Sequence, residues 1–154
     1  MKNTLIVLFL LASIGTYGQK AMPFQEAEKQ GKSYQTLDSL YKSAVHSDTT
    51  LAVFKTPVEQ QILQKTYGDF LRELGAFLKT NNFKWEKLTK CFNRIYINSD
   101  GTVDYFLYKF SKDQITDEKE QEFDRLLNLF LKDHKFPAIA KEKFAQCSPV
   151  KYSD

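Results

Sequence analysis

Residues 92–110 constrain the fold of this chain more than any other stretch. Phe92-Asn93-Arg94-Ile95-Tyr96-Ile97-Asn98 and Val103-Asp104-Tyr105-Phe106-Leu107-Tyr108-Lys109-Phe110 are rich in β-branched and aromatic residues. Between them, Asn98-Ser99-Asp100-Gly101 carries strong turn chemistry. The segment predicts a β-hairpin. A three-residue loop, Ser99-Asp100-Gly101 with Gly101 left-handed, pairs Ile97 with Val103 and Ile95 with Tyr105. That register gathers Ile95, Ile97, Val103, Tyr105 and Leu107 on one face, and Phe92, Arg94, Tyr96, Phe106 and Tyr108 on the other. A two-residue Asp100-Gly101 loop would pair Ile97 with Asp104 and mix the faces, which favours the longer loop. Both faces are then apolar, whereas a sheet with one solvated face alternates apolar with charged residues. Each side must be covered.

Two helices are the expected covers. Thr56-Pro57-Val58-Glu59 reads as a capped helix start with proline at the first turn and glutamate completing a capping box. Val58, Ile62, Leu63, Phe70, Leu71, Leu74, Phe77 and Leu78 continue it as an apolar stripe to about Thr80, where Asn81-Asn82 ends it. A second helix is predicted over 116–135. Thr116 caps an acidic first turn, Phe123, Leu126, Leu127 and Phe130 follow at helical spacing, and Pro137 stops it. The spacing places one of these helices on each face of the hairpin. Upstream, Ser33 caps a third helix carrying Tyr34, Leu37, Leu40, Tyr41, Ala44 and Val45, which fades by His46. Residues 142–147 read as a further strand with Phe144 inward, its length limited by Pro149. The expected class is α+β: N-terminal helices, then a β-hairpin–helix–strand unit, forming a small antiparallel sheet with helices packed on it.

The first residues carry the three parts of an export signal. Lys2 supplies the positive charge, residues 5–12 are an unbroken apolar run, and Thr16-Tyr17-Gly18 offers small residues at a cleavage site. The run is about half of the roughly 20 apolar residues a membrane-spanning helix needs. Residues 1–18 are therefore expected to be a cleaved signal peptide, 19–32 a loose N-terminal arm, and 33–154 a single α+β domain, exported to the periplasm or secreted, with no stable membrane span after cleavage. With 13 Phe and 8 Tyr among 154 residues the chain has ample material for a core. Its net charge of +3 is small and dispersed, which argues against a nucleic-acid-binding face.

In an oxidising compartment the two cysteines predict a disulfide between Cys91 and Cys147. The loop would enclose 55 residues and stabilise the fold by about 4 kcal/mol in the chain-entropy picture. The alternative is two buried thiols acting as small apolar residues. Catalytic signals are sparse. His46 and His134 lack metal-ligand spacing, and neither cysteine lies in a recognisable nucleophile motif. No phosphate-cradling glycine loop, serine elbow or His-Glu-Xaa-Xaa-His run occurs. Residues 98–104 glance at a calcium loop, but glycine falls at the fourth position and Lys109 at the twelfth. No catalytic residue, cofactor or metal is expected. Trp85, Tyr96, Phe106 and Tyr108 are the candidates for a binding surface, Trp85 at its rim beside Lys84, Glu86 and Lys87; core packing is the competing reading.

The order of hairpin, helix, proline and strand over 92–152 resembles the C-terminal domain of TonB, which couples the inner membrane to outer-membrane transporters. The likeness rests on Asn98-Ser99-Asp100-Gly101-Thr102-Val103, on the aromatic-proline pair Phe136-Pro137 and on the last strand. The resemblance implies a fold and not energy transduction, because the chain has no proline-rich periplasm-spanning segment. The expected function is a non-enzymatic envelope or secreted protein that binds a protein or peptide, by adding a strand to a sheet edge. The rival is a small exported hydrolase with a carboxylate-based site near Asp104, Glu142 or His134.

Overall fold

The structure is a computed structural model and describes residues 20–154, so the signal-peptide reading of residues 1–18 lies outside the described residues. In chain order it contains strand β1 (Ala21–Pro23), helices α1 (Phe24–Lys29) and α2 (Tyr34–Asp38), strand β2 (Lys42–Ser43) and a 3-10 turn (Thr49–Leu51). Helix α3 (Pro57–Thr80), strands β3 (Thr89–Ile97) and β4 (Val103–Phe110), helix α4 (Asp117–Asp133) and strand β5 (Phe144–Tyr152) follow. The described residues form one five-stranded sheet in the order β1-β4-β3-β5-β2. The three central strands are antiparallel, and short parallel strands flank them on both sides. The class is α+β with helices packed on a small mixed sheet.

The helix signals read from the sequence form as local chemistry dictates. Thr56 and Glu59 make the reciprocal capping box, and Thr116 Oγ1 accepts the Lys119 N–H at the start of α4. The helix expected from Ser33 to Val45, however, stops at Asp38. Five residues gain little from helix propagation. Residues 42–43 instead join β5 as a parallel strand, with Ala44 N donating to Ala145 O at 2.9 Å.

The N-terminal segment expected to be a loose arm is woven into the sheet. Ala21 and Met22 are fully buried, and the Asn128 side chain clamps β1 like a strand neighbour. Its Oδ1 accepts the N–H groups of Lys20 and Ala21, and its Nδ2 donates to Ala21 O, all at 2.9 Å.

Two expectations about the sheet faces are corrected. First, α3 and α4 lie on the same face, packed against each other through Phe70–Phe130 and Phe77–Phe130, each with ring centroids 5.5 Å apart. Strands about 4.8 Å apart make a five-stranded sheet wide enough for two helices about 10 Å apart. The opposite face is covered by α1, α2 and Tyr41, which bury Tyr96, Leu107, Met22 and Ala145.

Second, the hairpin keeps the predicted three-residue loop, with Asn98 N donating to Thr102 O and Gly101 at φ 84°, but the ladder slips beyond Val103. Ile97 pairs with Val103, yet Tyr96 pairs with Tyr105 and Ile95 with Phe106. Asp104 is the extra residue of a β-bulge, and an extra residue exchanges the faces of everything after it. Ile95, Ile97 and Val103 therefore share the long-helix face with Phe106 and Tyr108, while Tyr105 and Leu107 join Tyr96 beneath the short helices. The Asp104 carboxylate accepts the Tyr41 hydroxyl at 2.7 Å, which holds the bulge to the short-helix side.

Candidate functional site: an open edge and its basic face

The four aromatic residues expected to form a binding surface are all interior. Tyr96, Phe106 and Tyr108 are fully buried and Trp85 is 5% exposed. Trp85 turns inward because the Asp154 carboxylate accepts the N–H groups of Trp85 and Glu86 at 2.7 and 3.0 Å, drawing the segment over the sheet end. Its indole then stacks on Tyr152, centroids 4.7 Å apart. Tyr96 lies under α2, its hydroxyl donating to Asp38. Phe106 and Tyr108 face α4 through the bulge, and the Tyr108 hydroxyl donates to Asp124 at 2.9 Å. Trp85 and Tyr108 meet inside the core, both against Phe123 with ring centroids 5.4 and 5.2 Å away, while Tyr96 lies on the other face of the sheet.

The predicted disulfide is likewise corrected: both cysteines are free, Cys91 buried and Cys147 exposed. Although β3 and β5 are neighbours, Cys91 pairs with Val150 and Cys147 with Arg94. That offset of three residues along the strand spans about 10 Å and turns the two side chains to opposite faces. A disulfide needs Cα atoms within about 7 Å. Burial pushes the Cys91 thiol up to about 12, so it holds its proton.

The residues considered for hydrolysis are separately engaged. Asp104 holds Tyr41, Glu142 pairs with Lys42 at 3.0 Å, and His134 stacks on Phe130 with its Nδ1 2.9 Å from Phe130 O. A groove of about 1190 Å³ runs between α4 and the β1–α1 segment, lined by Glu26, Asp117, Glu120 and Asp124 among others. Burial, and then the charges of Asp117 and Asp124, hold the Glu120 carboxyl above its ordinary range. The polar groups at its centre, Tyr108, Asp124 and Asn128, are bound to one another or to β1, so they act as the clamp of that edge. Among the described residues no group of three or more His, Cys, Asp or Glu is arranged to hold a metal ion.

The other edge of the sheet is different. β2 pairs with only Phe144 and Ala145, so the outer side of residues 146–152 has no strand beside it among the described residues. Lys143 and Ala145 direct their carbonyls outward to β2, and strand alternation makes the main chain of Cys147, Pro149 and Lys151 point outward too. Pro149 sits where its missing N–H costs the β3 ladder nothing, which is how β5 runs through a proline. Cys147 O receives only a long contact, 3.4 Å from Gln146 Nε2.

Beside this edge the short-helix face is only half covered. The cover ends where Phe24 meets Phe92, centroids 6.1 Å apart, and where Arg94 is held by Asp38 between Tyr34 and Tyr96. Beyond that line lies a shallow depression of about 580 Å³ lined by Lys90, Phe92, Lys109, Pro149 and Lys151. Phe92 is 37% exposed. Pairing sets Lys90 directly opposite Lys151, and Phe92 between Lys109 and Pro149. None of the three lysines has a carboxylate within ion-pair distance among the described residues.

Sequence reasoning found Phe92 and the third strand but not this site. The signal was present in Lys90, Lys109 and Lys151, which acquire meaning only once the strand register aligns them. No described helix is long and apolar enough to cross a membrane. No family model, curated protein or solved structure matches the chain.

Proposed function

We propose that this is a non-enzymatic exported protein, of the cell envelope or secreted, that binds a protein or peptide partner by taking an extended segment as a strand alongside β5. The observation that carries the reading is the open outer edge of residues 146–152, with the N–H groups of Cys147 and Lys151 and three carbonyls directed away from the sheet. Main-chain groups of a strand edge give an extended ligand its affinity, and side-chain pockets beside the edge give it selectivity. The half-covered face with Phe92 supplies such a surface. The proposed likeness to the TonB C-terminal domain concerns only the fold of residues 92–152, where two strands, a helix and a strand follow in order.

A displayed peptide library selected on the immobilised folded protein tests the reading. Selected peptides should slow hydrogen exchange at the Cys147 and Lys151 amides, and Lys151→Pro, which removes an outward N–H while sparing the β3 ladder, should abolish binding. Peptides that instead protect the groove along α4, or bind Lys151→Pro undiminished, overturn it.

A further inference from the structure

Lys90 and Lys151 face each other across β3 and β5 on the solvent side of the sheet, with Phe92 and Lys109 in the next row. Like charges directly opposite on neighbouring strands destabilise the pair. Elsewhere the protein's ion pairs bring opposite charges together: Lys42 meets Glu142, Arg94 meets Asp38, and Lys119 meets Glu86. Here a positive pair stands, among the described residues, without a counter-charge at the end of an open strand edge. From this we infer that the partner segment is acidic: an extended peptide carrying alternate Asp or Glu residues around one aromatic or aliphatic residue, whose carboxylates meet Lys151 and Lys90 while its apolar side chain covers Pro149 and Phe92.

This inference rests on the strand-addition reading and adds the ligand's chemistry. Side chains of an added strand alternate between faces, so every second residue of the ligand lies over the row of Cys147, Pro149 and Lys151. A carboxylate there gains attraction from two lysines at once and relieves their mutual repulsion. Pairing of β5 with β5 of a second copy would instead collect six lysines on one continuous face, which the charge disfavours. An anionic lipid surface would satisfy the lysines but leave the outward N–H and carbonyl groups of β5 unused.

The test uses two fluorescein-labelled ten-residue peptides, one with Glu at alternate positions around a central Phe and its twin with Lys in those places. Anisotropy should show the acidic peptide binding at least about tenfold more tightly at low salt, with the preference fading as ionic strength rises towards 1 M and the screening length falls to about 3 Å. Lys90→Glu gives two readouts of opposite sign. It replaces the facing Lys–Lys pair with Glu–Lys, so the variant should unfold at a higher temperature and yet bind the acidic peptide several-fold more weakly.

Equal binding of both peptides, each lost with Lys151→Pro, overturns the acidic assignment and leaves strand addition standing. Acidic binding that is indifferent to Lys151→Pro overturns strand addition. Binding of neither peptide, with either tight co-sedimentation on phosphatidylglycerol vesicles or self-association through β5, overturns the peptide assignment.

Discussion

At the scale of single residues, environment decides what identical side chains do. Cys91 points into the core beside Asn93, whose Nδ2 donates to the Tyr152 hydroxyl at 2.7 Å and whose Oδ1 lies 3.4 Å from the Cys91 sulfur. Cys147 points to solvent on the other face. The thiolate is the reactive form, and burial keeps Cys91 protonated through neutral pH. Ellman titration of the native protein at pH 8 should therefore show one fast thiol, with the second appearing only in denaturant. Mass spectrometry of alkylated protein without reductant should find both cysteines modified after unfolding. A species lacking two hydrogens and carrying no label would show the disulfide that this register forbids.

Among the elements, the hairpin turn has the most exacting fit. Gly101 occupies a left-handed conformation, and a β-carbon built there would lie 2.4 Å from Phe136 O. The contact is a junction: Phe136 N donates to Gly101 O at 2.8 Å, Ala140 N donates to Ser99 O at 3.1 Å, and Lys135 pairs with Asp100 at 2.8 Å. The turn therefore positions the chain leaving α4 for its entry into β5. Gly101→Ala should lose the left-handed cost of about 1–2 kcal/mol and, in addition, displace the Phe136 backbone, for a total above about 2 kcal/mol in urea unfolding. Gly31→Ala is the control. Gly31 also has positive φ, but nothing lies within 4 Å of its β-carbon position, so only the conformational cost should appear. Equal losses at the two sites would mean that the turn does not bear on Phe136.

For the molecule as a whole, the two sheet edges are treated in opposite ways. The β4 edge is closed by β1, which Asn128 holds from α4, and Phe106 N donates to Lys20 O at 2.9 Å. Exposed edges template unwanted pairing, and a short covering strand blunts one. Asn128→Ala removes three bonds to the β1 backbone and should cost about 2–3 kcal/mol. Hydrogen exchange should quicken at the Phe106 amide much more than at residues of β3. Unchanged exchange at Phe106 would show that β1 stays docked without the clamp. Along the β5 edge, which has no strand beside residues 146–152 among the described residues, Pro149 and Lys151 are residues of the kind that guard an open edge.

The sequence alone determined what depends on neighbours along the chain. The capping box at Thr56, the cap at Thr116, the ends of the long helices, and the left-handed Gly101 all follow from contacts within a few residues. It also required that both hairpin faces be covered, because both are apolar in either register. For the same reason it did not determine which residues share a face. With large apolar side chains at Tyr105, Phe106, Leu107 and Tyr108, periodicity is blind to one extra residue at Asp104. Only the tertiary structure decided that slip, because Tyr41, 63 positions upstream, binds the Asp104 carboxylate and α4 takes Tyr108 through Asp124. The separation of the cysteines, the shared face of α3 and α4, and the unpaired Lys90–Lys151 row depend in the same way on which strands become neighbours. Pairing energies between distant segments set that order, and no local pattern encodes them.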